Sequence, residues 1–166
     1  MILSSLKNIT KQLLSLLLPI TVLIVVPLSI EQNIQVKSLA SFIIGLSIIC
    51  FGLFILVSTI STLTRLGNGT LAPWSPTSKL VIYGLYRYVR NPMILAVIIV
   101  LIGESVSILS FPILIWTGAF FIINNIYFFV YEEPNLKRKF GKEYEEYRKN
   151  VHRWIPRFSP YKPNSN

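Results

Sequence analysis

Residues 38–63 read SLASFIIGLSIICFGLFILVSTISTL, and no charge interrupts the chain between Lys37 and Arg65. A helix rising ~1.5 Å per residue over such a run covers a hydrocarbon core of ~30 Å. The run is therefore read as a membrane span. Gly45, Ser47 and Gly52 lie along it, and small side chains let a neighbouring helix approach closely.

Working outward, the next charge-free run lies between Lys11 and Glu31 and reads LLSLLLPITVLIVVPLSI from Leu13. It predicts a first span over about 12–30. Pro19 and Pro27 would kink it, which membrane helices tolerate. A cleaved signal peptide is the competing reading, but no small-x-small cleavage site follows. Glu31 and Lys37 are the only charges in the short connection to the second span, 38–63.

Beyond that span the texture changes. Residues 64–90 carry Gly67, Gly69, Pro73, Pro76 and Gly84, with four basic residues and no acid. This is a polar loop with turn punctuation. Between Arg90 and Glu132 the one charge is Glu104. That stretch is too long for one helix and suits two, with the break at Leu109-Ser110-Phe111-Pro112. Proline is favoured in the first turn of a helix. A helical hairpin, 91–109 and 112–131, is predicted. The tail, 132–166, is polar and basic. Leu136, Phe140, Tyr144 and Tyr147 recur at helical spacing, with Lys139–Glu143 and Glu145–Lys149 as i,i+4 pairs. This predicts an amphipathic helix on or under the membrane, ended by Trp154, Pro156, Pro160 and Pro163.

The predicted fold is thus all-α and integral to a membrane: two N-terminal spans, a polar loop, a helical hairpin and an amphipathic tail helix, in one domain over 1–166. Composition agrees. Hydrophobic residues make up 52% of the chain and charged ones 14%, against ~25% charged in a soluble domain. Mean hydropathy is +0.58. The net charge of +9 does not indicate nucleic acid, because the basic residues flank apolar runs. Lys7, Lys11, the four of the loop and the nine of the tail fall on one side, and Lys37 alone on the other. Four spans of a bacterial cytoplasmic membrane, with both termini cytoplasmic, satisfy the positive-inside rule. The loop and the tail then share a side and would enclose a small polar ligand. The single cysteine, Cys50, the single histidine, His152, and the absence of aspartate leave no metal cluster.

The loop sequence GNGTLAPWSPTSKLVIYGLYRYVRNPM (67–93) and the tail sequence EEPNLKRKFGKEYEEYRKNVHRWIP (132–156) together resemble the isoprenylcysteine carboxyl methyltransferase and phospholipid methyltransferase superfamily, most closely its small bacterial members. The resemblance covers roughly residues 67–156. It implies a multi-helix membrane enzyme that transfers a methyl group from S-adenosylmethionine. It implies cofactor contacts from Lys79, Leu80 and Val81, from Tyr86, from Arg90, Asn91 and Pro92 with the following Met93 and Ile94, and from Glu132 and Glu133. Arg90 and Asn91 would be catalytic. Two positions depart from the family: Asn91 stands where the carboxyl methyltransferases carry histidine, and Ile94 where many members carry tyrosine. The departures bear on the substrate more than on the cofactor.

The residue chemistry is compatible. Arg90 can pair with a carboxylate, Glu132 or Glu133 with an ammonium or ribose hydroxyls, and Tyr86 or Tyr88 with an adenine or a sulfonium. Methyl transfer needs alignment and exclusion of water, not a metal. The acceptor implied is a lipid or other lipophilic molecule bearing an amine or carboxylate. Plainer readings stand beside these: Arg87 and Arg90 as anchors, the tyrosines as an interfacial belt, Glu132 and Glu133 as a helix end, Gly67-Asn68-Gly69 as a turn, His152 as a solvated residue. Competing functions are an NADPH-dependent membrane reductase of the sterol-reductase type and a non-enzymatic membrane scaffold. Glu104, deep in the third span, is expected to face the protein interior. It would either hydrogen-bond Asn124 or Asn125 across helices or belong to a substrate pocket.

Overall fold

The computed structural model describes residues 18–66 and 80–163. Among these residues there are four helices and no strand. Helix α1 is Leu18–Ile30, α2 Leu39–Leu66, α3 Pro92–Ile108 and α4 Phe111–Asn150. Helices α2 and α4 are long and apolar enough to cross a membrane, and α1 and α3 are shorter apolar helices. Ile43, Phe51, Phe54 and Val57 of α2 are exposed. Apolar surface of that extent fits a lipid surround better than water.

Two helices contain a π turn, and each turn ends two residues before a proline. In α1 the turn is Thr21–Val25, ahead of Pro27; in α4 it is Phe128–Glu132, ahead of Pro134. Proline has no N–H for the preceding turn and its ring crowds the carbonyl there; a wider turn absorbs the mismatch. This is why α4 does not stop at 131, as the sequence reading expected. It continues through the acidic pair to Asn150, broken only at Gly141 (φ 53°, ψ −126°). The Lys137–Glu145 ion pair, 2.7 Å, closes over that break. It replaces the expected Glu145–Lys149 pair.

The hairpin turn falls where the breaking residues put it. Leu109 takes a left-handed conformation (φ 52°) after α3, and Ser110 caps α4 by accepting from the Ile113 N–H at 3.3 Å. Pro112 sits in the first turn of α4. The connection before α2 clamps this turn. The Ser110 hydroxyl donates to Glu31, and Lys37 Nζ donates to the Leu109 carbonyl at 3.4 Å, a cation at a helix C-terminus.

Helices α2 and α3 run antiparallel and meet through glycines. A Cβ on Gly103 would lie 2.7 Å from Ile49 Cγ1 and 2.8 Å from Ile49 N, and one on Gly52 would lie 2.7 Å from Val100 Cγ2. A Cβ on Gly45 would collide with the backbone of Gly103 and Ser107. Of the three small residues noted in the sequence, Ser47 does not join this contact. It is exposed and donates to the Ile43 carbonyl.

Leu56, Ala96, Val97 and Leu101 form one buried cluster, with Val22, Trp116 and Phe120 against it. Ile82, Tyr144, Tyr147, Val151 and Tyr161 form a second, with Leu136 and Phe140 against it. The apolar stripe predicted for the tail helix is therefore present, and it packs on protein. The expected interhelical bond of Glu104 is not formed. Asn124 and Asn125 donate to Phe120 and Phe121 carbonyls of their own helix, and Glu104 Oε2 is buried without a partner among the described residues.

Candidate functional site

The segment between α2 and α3 is shaped by Gly84, whose positive φ of 54° is open to glycine without strain. A short 3-10 turn, Gly84–Arg87, follows. Residues 87–91 are then stitched to the chain after α4. Arg90 N–H donates to the His152 carbonyl (2.9 Å), Asn91 N–H to Arg153 (3.4 Å), and in return Arg157 N–H to Tyr88 (2.9 Å) and Tyr161 N–H to Arg87 (2.9 Å). Tyr147 adds a hydroxyl bond to the Tyr86 carbonyl at 2.6 Å. The two polar segments thus form one structure.

Its centre is Glu133, only 5% exposed. Oε1 accepts from Arg90 Nη1 at 2.6 Å and from Arg153 Nη2 at 2.5 Å; Arg148 approaches Oε2 at 3.7 Å. Arg90 also donates through Nε to the Val151 carbonyl (2.9 Å) and through Nη1 to the Tyr144 hydroxyl (3.1 Å). Burial pushes the Glu133 carboxyl up, but the hydrogen bonds and charges of Arg153 and Arg90 outweigh it and hold the group below its ordinary value. Arg90, expected to pair with a carboxylate, has found one within the chain.

Glu132 behaves oppositely. It has no ion pair among the described residues. Burial, reinforced by the Glu133 charge and partly offset by Arg153, pushes its carboxyl up to about 7. Burial and the Glu132 charge also push the Tyr86 phenol well up, so it stays neutral.

Glu132 lines a cavity of about 610 Å³, within the ~300–1,000 Å³ usual for small-molecule sites. Leu80, Val81, Tyr86, Arg90 and Asn91 line it as well, and so do Met93, Ile94 and Glu133. Two expected residues do not. Pro92 and Tyr88 turn to a smaller hollow shared with Ile55, Leu95 and Pro156. Lys79 lies outside the described residues. Away from the acidic end the walls are apolar, with Leu18, Val22, Leu56, Val97 and Phe120.

Sequence reasoning missed several site residues. Tyr127 and Tyr131, rings 5.6 Å apart, line the cavity over the turn that leads into the acidic pair. Their i,i+4 spacing ahead of Glu132 was a usable signal. Asn124 and Asn135 line it too. Arg153, which shares Glu133 with Arg90, had no local signal at all. Among the described residues no group of three or more His, Cys, Asp or Glu side chains could hold a metal ion.

The model of the phospholipid methyltransferase family matches residues 40–143. Two curated relatives, each described as a probable protein-S-isoprenylcysteine O-methyltransferase, come from Oryza sativa subsp. indica and subsp. japonica. Each is 34% identical over 84 residues, covering 47% of this chain and 41% of the relative. The match therefore spans less than half the length of those relatives. No solved structure matches.

Proposed function

The chain belongs to the phospholipid methyltransferase family, and we propose that it transfers a methyl group from S-adenosylmethionine to a lipophilic amine or carboxylate at the cytoplasmic face of a membrane. In this reading the chain is one domain of four spans with both termini cytoplasmic. The observation that carries the proposal is a single cavity with an acidic, tyrosine-lined end and an apolar remainder between helices. One end suits a polar nucleoside with an amino-acid tail, and the other suits an acyl or prenyl chain.

When bound, S-adenosylmethionine supplies a methyl group on a sulfonium sulfur that is already a good leaving group. The residues present fit it. Glu132, half-buried and free of ion pairs among the described residues, would accept from the ammonium or the ribose hydroxyls. Asn91 precedes α3 without spending its side chain as a cap, so its amide keeps an acceptor and two donors for the ligand. Leu80, Val81 and Ile94 give the purine an apolar wall, and Tyr86 a ring. Arg90 is fixed by four bonds. Arg90, Glu133 and Arg153 sum to one net positive charge, which favours an anionic group at the cavity wall. The largely apolar lining of the cavity lowers the local dielectric, which strengthens each of these contacts.

The decisive experiment supplies methyl-tritiated S-adenosylmethionine and a native lipid extract to the purified protein in lipid. Tritium recovered in the lipid phase is the expected result, and no transfer to any lipid overturns the proposal. Calorimetric titration with S-adenosylhomocysteine and, separately, NADPH tests the cofactor. Binding of NADPH alone overturns it.

A further inference from the structure

The chain after α4 carries two large apolar side chains in the open: Ile155 is 71% exposed and Phe158 fully exposed. Water is a poor surround for them. Their position on the bundle indicates a different one, and three helices mark it independently.

On α4, the Trp154 ring lies 5.2 Å from Phe121 and 5.9 Å from Phe128, and its Nε1 donates to Asn125 Oδ1 at 2.9 Å. Asn125 precedes Glu132 by seven residues, ~10 Å of helix. On α3 and α2, Pro156 shares a hollow with Leu95 and Ile55. Leu95 is four residues past Asn91, ~6 Å into α3, and Ile55 is ten residues before Arg65, ~15 Å into α2. Each places residues 154–156 on the apolar side of the charge that ends its helix: Glu132, Arg90 and Arg65.

We propose that residues 153–158 are a re-entrant loop seated in the cytoplasmic leaflet at the boundary of headgroups and acyl chains, with Ile155 and Phe158 touching lipid. Irregular backbone in hydrocarbon would need every polar group satisfied, so the loop sits at the headgroup boundary, where water reaches the groups that the protein leaves unbonded. Here the His152 and Arg153 carbonyls accept from Arg90 and Asn91, and the Arg157 N–H donates to Tyr88. Pro156 has no N–H to satisfy. The Trp154 indole presents its ring to apolar neighbours and its N–H to an asparagine, as indoles do at membrane interfaces. The loop is pinned on both sides, at 152–153 and again at 157 and 161, so lipid meets a preorganised surface. That surface continues the exposed apolar face of α4 at Phe121, Phe129 and Val130. This inference rests on the spanning arrangement proposed above and not on the chemistry of the cavity.

Cys50→Ser removes the only native thiol. Nitroxide labels are then placed singly at Ile155→Cys and Phe158→Cys, with Phe54→Cys on α2 as the lipid reference and Lys149→Cys as the aqueous one. The protein is reconstituted in phosphatidylethanolamine–phosphatidylglycerol vesicles, and the accessibility of each label to oxygen and to a water-soluble nickel complex is measured. The oxygen-to-nickel ratio at 155 and 158 is expected near that of Phe54→Cys and several-fold above that of Lys149→Cys. Ratios equal to that of Lys149→Cys overturn the proposal. So does shielding from both reagents, which would mean that protein covers the loop. An aqueous Phe54→Cys label would instead overturn the spanning arrangement itself.

Discussion

The two sides of this bundle are built from the same apolar residues and packed to opposite ends. Along the α2–α3 seam, Gly45, Gly52 and Gly103 bring backbone against backbone, leaving no room for a methyl group. On the other side, α1 and α4 meet each other through the Trp116 indole donating to the Val22 carbonyl at 3.4 Å, and a cavity stays open between them and the α2–α3 pair. Lipid tails are as apolar as leucine, so hydrophobicity by itself brings no two membrane helices together; close van der Waals contact does. The comparison teaches that hydropathy selects the solvent, while the positions of small residues decide which side closes and which stays hollow.

The sharpest way to disturb this arrangement is through the charges that fasten the open side. Arg90→Ala leaves Glu133 buried with one close partner fewer, a loss of about 3–5 kcal/mol. A lowered midpoint of thermal unfolding in detergent, together with lost methyl transfer, is the expected readout. An unchanged midpoint would show that Arg153 suffices. Next comes the seam itself. Gly45→Leu forces a side chain into the backbone of α3, costing about 3 kcal/mol or more. Gly118→Leu on α4, where a Cβ would meet nothing within 4 Å, should leave the midpoint unmoved. Equal effects at the two glycines would erase the distinction between the sides.

The acidic pair gives a smaller, pH-resolved effect. The folded Glu132 carboxyl is raised from 4.5 to about 7, so between those values the native chain holds a proton that the unfolded chain has released. Its contribution to stability therefore falls as pH rises from 4.5 to about 7 and then levels off. Glu133, held low, contributes stability that is present above 4.5 and lost as pH falls below it. Glu132→Gln should flatten the first slope and spare the second. It should also lower methyl transfer by about 10–100-fold, equivalent to ~1.4–2.7 kcal/mol. Smallest is Leu109→Gly at the hairpin turn. It relieves a left-handed leucine and should raise stability by about 1 kcal/mol, measured as a small upward shift of the unfolding midpoint.

Much of this was legible in the sequence because it depends on local chemistry. Ser110 and Pro112 start α4 where a cap and a first-turn proline should. The distribution of basic residues put the loop and the tail together, and Arg90 does lie 2.6 Å from Glu133. What was not legible depends on partners distant in sequence. Arg153 competes for Glu133, so Arg90 is not the free clamp that its charge suggested. Tyr86 and Tyr88 look equivalent in the sequence, but the turn at Gly84–Arg87 sends one to the cavity and the other to the smaller hollow. The sequence reading ends the fourth helix at 131 because charge marks where apolar character stops, yet a charged residue does not stop a helix. The wider turn before Pro134 lets α4 run on.

That wider turn also sets a phase. A π turn holds one residue more than the α turn it replaces, and one residue is ~100° of rotation about the axis. The helix from Glu133 to the break at Gly141 is offset by that angle from the helix before Phe128. The offset is what lets Tyr127 face the hollow from one turn while, a little further on, Glu133 swings to the arginines. Removing Val130, an exposed residue in the turn, would delete no contact of the site, yet it would wind the helix back and carry Glu133 and the helix up to Gly141 out of alignment with the part before the turn.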